Sequence, residues 1–152
     1  NKVRFRARLV AKGFTQKEGV DYKETYSPVL RYSTLRLLFA LSVKLKFTIT
    51  HLDVTTAFLN GYLDENVYMQ VPPNLECKSN SVLKLRRAIY GLKQSARAWN
   101  KRVDDCLLEL GYVKSKLEPC LYRKKFRKER IIIAVFVDDF FIFSNSETMT
   151  DE

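Results

Sequence analysis

Cysteine is scarce in this chain, with only Cys77, Cys106 and Cys120 in 152 residues. The number is odd and no pair has C-x-x-C spacing, which excludes a disulfide framework and a zinc knuckle and leaves reduced thiols in the core or on the surface. Long apolar runs are missing too: none approaches the roughly 20 residues needed to span a bilayer. The opening N-K-V-R-F-R-A-R lacks the apolar stretch of a secretory signal. These absences predict a soluble intracellular protein with no membrane partner. Internal repeats and low-complexity tracts are absent as well. The sequence lacks an initiator methionine and opens inside what reads as a strand, so it reads as a piece of something longer.

What is present suffices for one folded domain, since 46% of residues are hydrophobic and 12% aromatic. Lysine and arginine outnumber aspartate and glutamate 27 to 17, a formal charge of +10 with a pI near 9.6. That balance suits a polyanion binder, and equally a merely solvated basic surface; charge alone leaves both open.

Periodicity places the elements. Phe5 to Lys12 is basic and β-prone, the first of two basic strands joined by a turn, with Gly13 and Gly19 as punctuation. Ser33 or Thr34 caps a helix carrying Leu35, Leu38, Phe39, Ser42 and Leu45 at helical spacing. From Phe47 to Val54 the period changes to two, with Phe47, Ile49, His51 and Asp53 on one side. Residues Val67 to Val71 and Val82 to Tyr90 read as extended, and a polar loop Glu76 to Ser81 lies between them. Ser95 caps the clearest helix, whose apolar face is Trp99, Val103, Cys106, Leu107 and Leu110, with Gly111 as its stop. Strands Cys120 to Arg123 and Ile131 to Val137 follow, joined by a loop Lys124 to Arg130, and Phe140 to Phe143 pairs back across an Asp138-Asp139 turn. The predicted class is α+β, an antiparallel sheet with helices packed on one face.

One stretch is electrostatically odd. R-I-I-I-A-V-F-V-D-D-F-F-I-F (Arg130 to Phe143) sets two adjacent carboxylates between apolar β-formers. Two unit charges about 5 Å apart at an effective dielectric near 20 repel by about 3 kcal/mol. An exposed hairpin tip is the plain explanation, but two-residue hairpin turns favour Gly or Asn, and the flanking residues are apolar on both sides. Asp53, at the end of another strand, can join the pair if the strands are neighbours. Carboxylate oxygens suit Mg²⁺, which completes its shell with water and phosphate, and two such ions about 4 Å apart support phosphoryl transfer.

Several long motifs in order carry a resemblance: A-R-L-V-A-K-G-F-T-Q-K-E-G-V-D-Y-K-E-T-Y-S-P-V (Ala7 to Val29), L-D-V-T-T-A-F-L-N-G (Leu52 to Gly61), V-Y-M-Q-V-P-P, I-Y-G-L-K-Q-S-A-R-A-W (Ile89 to Trp99) and F-V-D-D (Phe136 to Asp139). Over almost its whole length the chain resembles the reverse transcriptase domain of the Pol polyprotein of copia-type long-terminal-repeat retrotransposons. The resemblance implies one domain fragment over residues 1–152 with the fingers and palm of a polymerase right hand and no thumb. Residues 1–33 and 59–94 look like fingers, and 34–58 with 95–152 like palm.

The implied reaction is RNA-directed DNA synthesis, in which a primer 3′-hydroxyl attacks the α-phosphate of a deoxynucleoside triphosphate on an RNA or DNA template. Asp53, Asp138 and Asp139 match the catalytic, metal-binding aspartates for two Mg²⁺ ions, for which Mn²⁺ substitutes. Phe58 matches the aromatic that screens against a ribose 2′-hydroxyl. Tyr90, Gly91 and Lys93 match a nucleotide-contacting motif, Arg8 and Lys12 are candidates for the triphosphate, and Phe136 and Val137 for the primer terminus. Implied partners are the thumb, RNase H and integrase regions of Pol, in a cytoplasmic virus-like particle or the nucleus. Ala96, Asn100 and Phe136 depart from the residues usual in the family, and none of them is a metal ligand. His51 reads as a satisfied strand residue, because the motif gives it no role and Mg²⁺ prefers oxygen. Three alternatives stand beside this reading. An RRM-like binding module is opposed by the acidic pair, a nucleotidyl cyclase by the Y-G-L-K-Q-S and T-A-F-L-N-G motifs, and the last is an inactive relic that at most binds nucleic acid.

Overall fold

The apolar run that the sequence wraps around its aspartates becomes the central strand of a five-stranded antiparallel sheet. A computed structural model describes residues 3, 5, 7–73 and 75–146. The chain divides into two compact units, Asn1–Tyr26 with Phe58–Trp99, and Ser27–Ala57 with Asn100–Glu152.

The second unit holds helix α1 (Tyr32–Leu45), strand β1 (Thr48–Asp53), most of helix α2 (Ser95–Glu109) and strands β4 (Val113–Lys114), β5 (Leu121–Phe126), β6 (Glu129–Phe136) and β7 (Asp139–Ser144). The sheet order is β1-β7-β6-β5-β4. Strand β6 is apolar on both faces, as a strand covered twice must be. Its Ile132, Ala134 and Phe136 join Leu121, Phe141 and Phe143 against Leu30, Leu35 and Leu38 from the α1 region. The opposite face presents Ile131, Ile133, Val135, Ile142 and Tyr122, all buried. There the Tyr122 hydroxyl donates to Asp104 of α2 at 2.9 Å. The helices therefore cover opposite faces, not the single face expected from element order. Each large apolar side chain removed from water adds roughly 1.5–3 kcal/mol, so this two-sided burial holds the central strands firmly.

Helix α1 starts two residues earlier than its hydroxyl residues suggest, because a distant carboxylate serves its N-terminus. Arg31 is the cap residue and offers no side-chain cap bond. Buried Glu118 stands in for it, accepting from Thr34 Oγ1 at 3.1 Å and from the Arg31 N–H at 3.5 Å. A carboxylate there meets both the orphan N–H groups and the positive end of the helix dipole. Helix α2 starts at Ser95 as expected, but the Ser95 hydroxyl donates to the Ile89 carbonyl. At the other end the Tyr112 N–H bonds to Leu107 O and the Gly111 N–H to Leu108 O, both at 2.9 Å, closing the helix in a Schellman motif.

The first unit is built on a two-stranded sheet, β2 (Tyr62–Gln70) with β3 (Val82–Arg87), with a register shift between Tyr62 and Val67. Ala11, Val67, Ile89 and Leu92 form its core with Leu63, Met69 and Leu85. The expected basic strands near the N-terminus do not form among the described residues, which hold a 3₁₀ turn at Gly13–Thr15 and one bridge between Glu18 and Tyr22. The loop expected over 124–130 shrinks to Arg127 and Lys128, the flanking residues being paired in β5 and β6. All three cysteines are free thiols. Among the described residues no helix is long and apolar enough to cross a membrane.

Candidate active site

Strand β1 is one edge of the sheet, and among the described residues it pairs with β7 alone. Their register opposes Asp53 to Asp139, Leu52 to Phe140 and His51 to Phe141. Directly opposed residues project from the same face with Cβ atoms about 5 Å apart, and like charges there are unfavourable. The sequence alone leaves open whether these strands are neighbours; they are.

The hairpin turn is not Asp138-Asp139. Phe136 and Asp139 are paired, so the loop is Val137-Asp138 and Asp139 is the first residue of β7. Val137 sits at φ 57°, in the left-handed region. For a β-branched residue this is a true outlier, of a kind that costs about 1–3 kcal/mol and persists only where surroundings over-determine it. The Val54 N–H donates to the Asp138 carbonyl at 2.9 Å, tying the end of β1 to the turn. Asp53, Asp138 and Asp139 thus meet at one end of the β1–β7 pair.

His51 has a specific partner. Its Nε2 lies 2.7 Å from Asp139 Oδ1, and its ring stacks on Phe141 with centroids 4.7 Å apart and planes 6° from parallel. The expectation of a satisfied strand histidine holds, but the satisfying group is one of the three candidate aspartates. Period-two alternation already put His51 beside Asp53; the link to Asp139 needed the β1–β7 register, which no local pattern encodes.

The donor set fits a hard divalent cation in kind, being carboxylate oxygen on a rigid sheet end. The side chains are not drawn together as a finished cage: among the described residues no group of three or more His, Cys, Asp or Glu is gathered closely enough to hold a metal ion. Phe136 is partly buried against the α1 core with its ring 5.5 Å from that of Tyr32, whereas Val137 is exposed at the hairpin tip.

Three of the six nucleotide-binding candidates come together in the first unit. The rings of Phe58 and Tyr90 are 4.6 Å apart, and the Arg8 guanidinium lies 5.6 Å from the Tyr90 centroid. Lys93 is directed elsewhere, its Nζ donating to the Tyr22 hydroxyl at 3.3 Å and its N–H to Gln16 Oε1 at 2.8 Å. Lys12 is exposed. Gly91 does allow a close backbone approach, but to the chain itself. A Cβ on Gly91, at φ 94°, would stand 2.1 Å from Ala11 O, and one on Gly13 would stand 1.8 Å from Gly91 O. Buried Gln94 completes this seam, accepting from Gln16 Nε2 at 3.0 Å and donating to Asp21 O at 2.8 Å. The residues between Tyr90 and Ser95 are therefore held by the loop of residues 11–22.

The family described as reverse transcriptase (RNA-dependent DNA polymerase) matches over residues 1–152. The Retrovirus-related Pol polyprotein from transposon TNT 1-94 of Nicotiana tabacum is 41% identical over 143 residues, covering 92% of this chain and 11% of its own length. The corresponding polyprotein from transposon RE1 of Arabidopsis thaliana is 42% identical over 148 residues, covering 96% of this chain and 10% of its own length. A yeast relative, the Transposon Ty1-H Gag-Pol polyprotein of Saccharomyces cerevisiae, is 30% identical over 145 residues, 91% of this chain and 8% of its own. The chain thus spans about a tenth of the length of these curated relatives. No solved structure matches it.

Proposed function

The chain belongs to the reverse transcriptase (RNA-dependent DNA polymerase) family, and from that premise we propose that it carries the catalytic centre for template-directed DNA synthesis from deoxynucleoside triphosphates. The observation that carries this reading is the opposition of Asp53 and Asp139 on neighbouring strands, with Asp138 in the adjoining turn. Opposed like charges at a sheet end are unfavourable by themselves and become favourable around a cation. In this reading Asp53, Asp138 and Asp139 hold Mg²⁺, with Mn²⁺ as a substitute. When bound, the ions supply the electrophilic stabilisation that in-line displacement at the α-phosphate requires.

The chain's own residues bind and orient the reactants. Arg8 and Lys12 offer cationic groups to the triphosphate, and Tyr90 and Phe58 form a paired aromatic surface that meets the sugar and base. Phe58 screens out a 2′-hydroxyl by bulk. Gly91 and Lys93 belong to the same nucleotide-contacting segment, and Phe136 with Val137 flanks the primer terminus. In this reading residues 1–33 and 59–94 are fingers, and 34–58 with 95–152 are palm. Template, primer, and the thumb, RNase H and integrase regions of a Pol polyprotein are the partners, in a cytoplasmic particle.

Primer extension on poly(rA) with an oligo(dT) primer tests the reading, using the chain carried within Pol through the thumb region. Synthesis should need Mg²⁺ or Mn²⁺ and disappear in Asp138→Asn. Synthesis that survives Asp138→Asn would overturn it.

A further inference from the structure

We propose that His51 is a positioning residue for Asp139: its Nε2–H grips Oδ1 and so presents the remaining carboxylate oxygen, Oδ2, to the divalent cation. The inference rests on the reading of Asp139 as a cation ligand. Asp139 is about one-third exposed at its side chain, 34%, and its carboxylate is held by His51 at 2.7 Å. A carboxylate free to turn about its terminal torsion would lose that freedom on taking up an ion. The bond to His51 removes that freedom beforehand.

The imidazole is itself pinned. It lies flat on Phe141, and Phe141 meets Phe39 of α1 edge-on with centroids 6.0 Å apart. Phe39 also meets buried Phe143 at 5.7 Å. A continuous series of ring contacts therefore runs from the core under α1 to the Asp139 carboxylate. His51 is 54% exposed at its side chain, so a plain core role does not account for an imidazole there. Its distance of 2.7 Å to Oδ1 is that of a charge-assisted bond. Metal-binding carboxylates are commonly held by such outer partners, whose loss costs about 10- to 100-fold in metal affinity.

The test separates this inference from the site reading beneath it. Mn²⁺ binding to the 152-residue chain is followed by the electron paramagnetic resonance of free Mn²⁺, for wild type, His51→Phe, His51→Gln, Asp139→Asn and Asp53→Asn. His51→Phe keeps a ring on Phe141 but has no donor, and should weaken binding about tenfold. His51→Gln keeps an amide N–H in reach and should recover most of that loss. If the aspartate variants weaken binding while His51→Phe matches wild type, the positioning role is overturned and the site stands. If His51→Gln falls as far as His51→Phe, a donor at this position does not restore binding, which also overturns the proposal. If wild type shows no saturable binding, or the aspartate variants match it, the site reading itself fails. A second readout uses the fact that His51 is the only histidine. Its imidazole ¹⁵N signals should report an Nε2–H tautomer in wild type and change in Asp139→Asn; identical signals would overturn the bond.

Discussion

Asp53 on β1 and Asp139 on β7 stand directly opposite each other as the last pair of their ladder, two like charges where a sheet ordinarily places complementary partners. Such an opposition costs a few tenths to about 1 kcal/mol. Asp53→Asn should therefore leave the metal-free protein as stable as wild type, or more stable by about 0.5 kcal/mol. In excess Mn²⁺ the order reverses, because an ion that binds only the folded state raises its stability by mass action. Thermal melts with EDTA and with Mn²⁺ check both halves. Equal Mn²⁺ shifts in wild type and variant would remove Asp53 from the site.

Val137 supplies a second stability test. A β-branched side chain at φ 57° carries strain that glycine does not. Val137→Gly is expected to gain about 1 kcal/mol in urea unfolding, the relief exceeding the entropy that glycine adds to the unfolded chain. A loss of stability would mean that the turn is not strained.

How far the sequence could reach is visible in these two residues. The strand ending at Asp53, the apolar strand before the aspartate pair and the helix from Ser95 to Gly111 all follow from local periodicity, which is set by backbone geometry alone. Which residue faces which is a long-range property: Asp53 and Asp139 meet through a register that 85 intervening residues do not specify locally. The same gap misplaced the turn by one residue and put both helices on one face. It also hid Glu118, since a carboxylate 87 positions away from Arg31 caps α1 in place of the local hydroxyls. The packing of Gly91 against the Ala11 carbonyl is likewise a long-range contact that the local motif does not encode.

Phe58 and Tyr90 pack ring against ring at 4.6 Å. If this pair screens the sugar, Phe58→Ala should raise ribonucleotide over deoxynucleotide incorporation by about tenfold or more, in the range that a lost steric contact confers. Tyr90→Ala should raise it less, by removing support for the Phe58 ring. Single-nucleotide extension with rUTP against dTTP measures the ratio. An unchanged ratio in Phe58→Ala would return Phe58 to a purely structural role.

Glu118 is buried, and its carboxylate serves the first turn of α1. Replacing it should cost stability without touching chemistry. Glu118→Gln keeps an acceptor and is expected to lose about 1 kcal/mol; Glu118→Ala leaves the Thr34 hydroxyl and helix N–H groups unpaired and should lose about 2 kcal/mol. Urea unfolding gives both values. A neutral Glu118→Ala would show that the helix start depends on packing of Leu35 and Leu38 alone.

Cys120 gives the protein an alkaline limit. Burial above all, and then the neighbouring Glu118 charge, push its thiol up from the ordinary 9.0 to about 11. The unfolded chain releases this proton once the pH passes 9.0, while the folded chain keeps it until about 11. In that window the unfolded state binds fewer protons, so stability is whole below pH 9.0 and falls as the pH rises toward 11. Cys120→Ala removes this contribution, so the stability advantage of wild type over the variant should shrink steadily across the window. Thiol labelling provides the companion measurement: exposed Cys77 should react at once with a disulfide reagent, and Cys120 only when the second unit unfolds. A Cys120 that labels as fast as Cys77 in the folded protein would contradict both the burial and the alkaline limit derived from it.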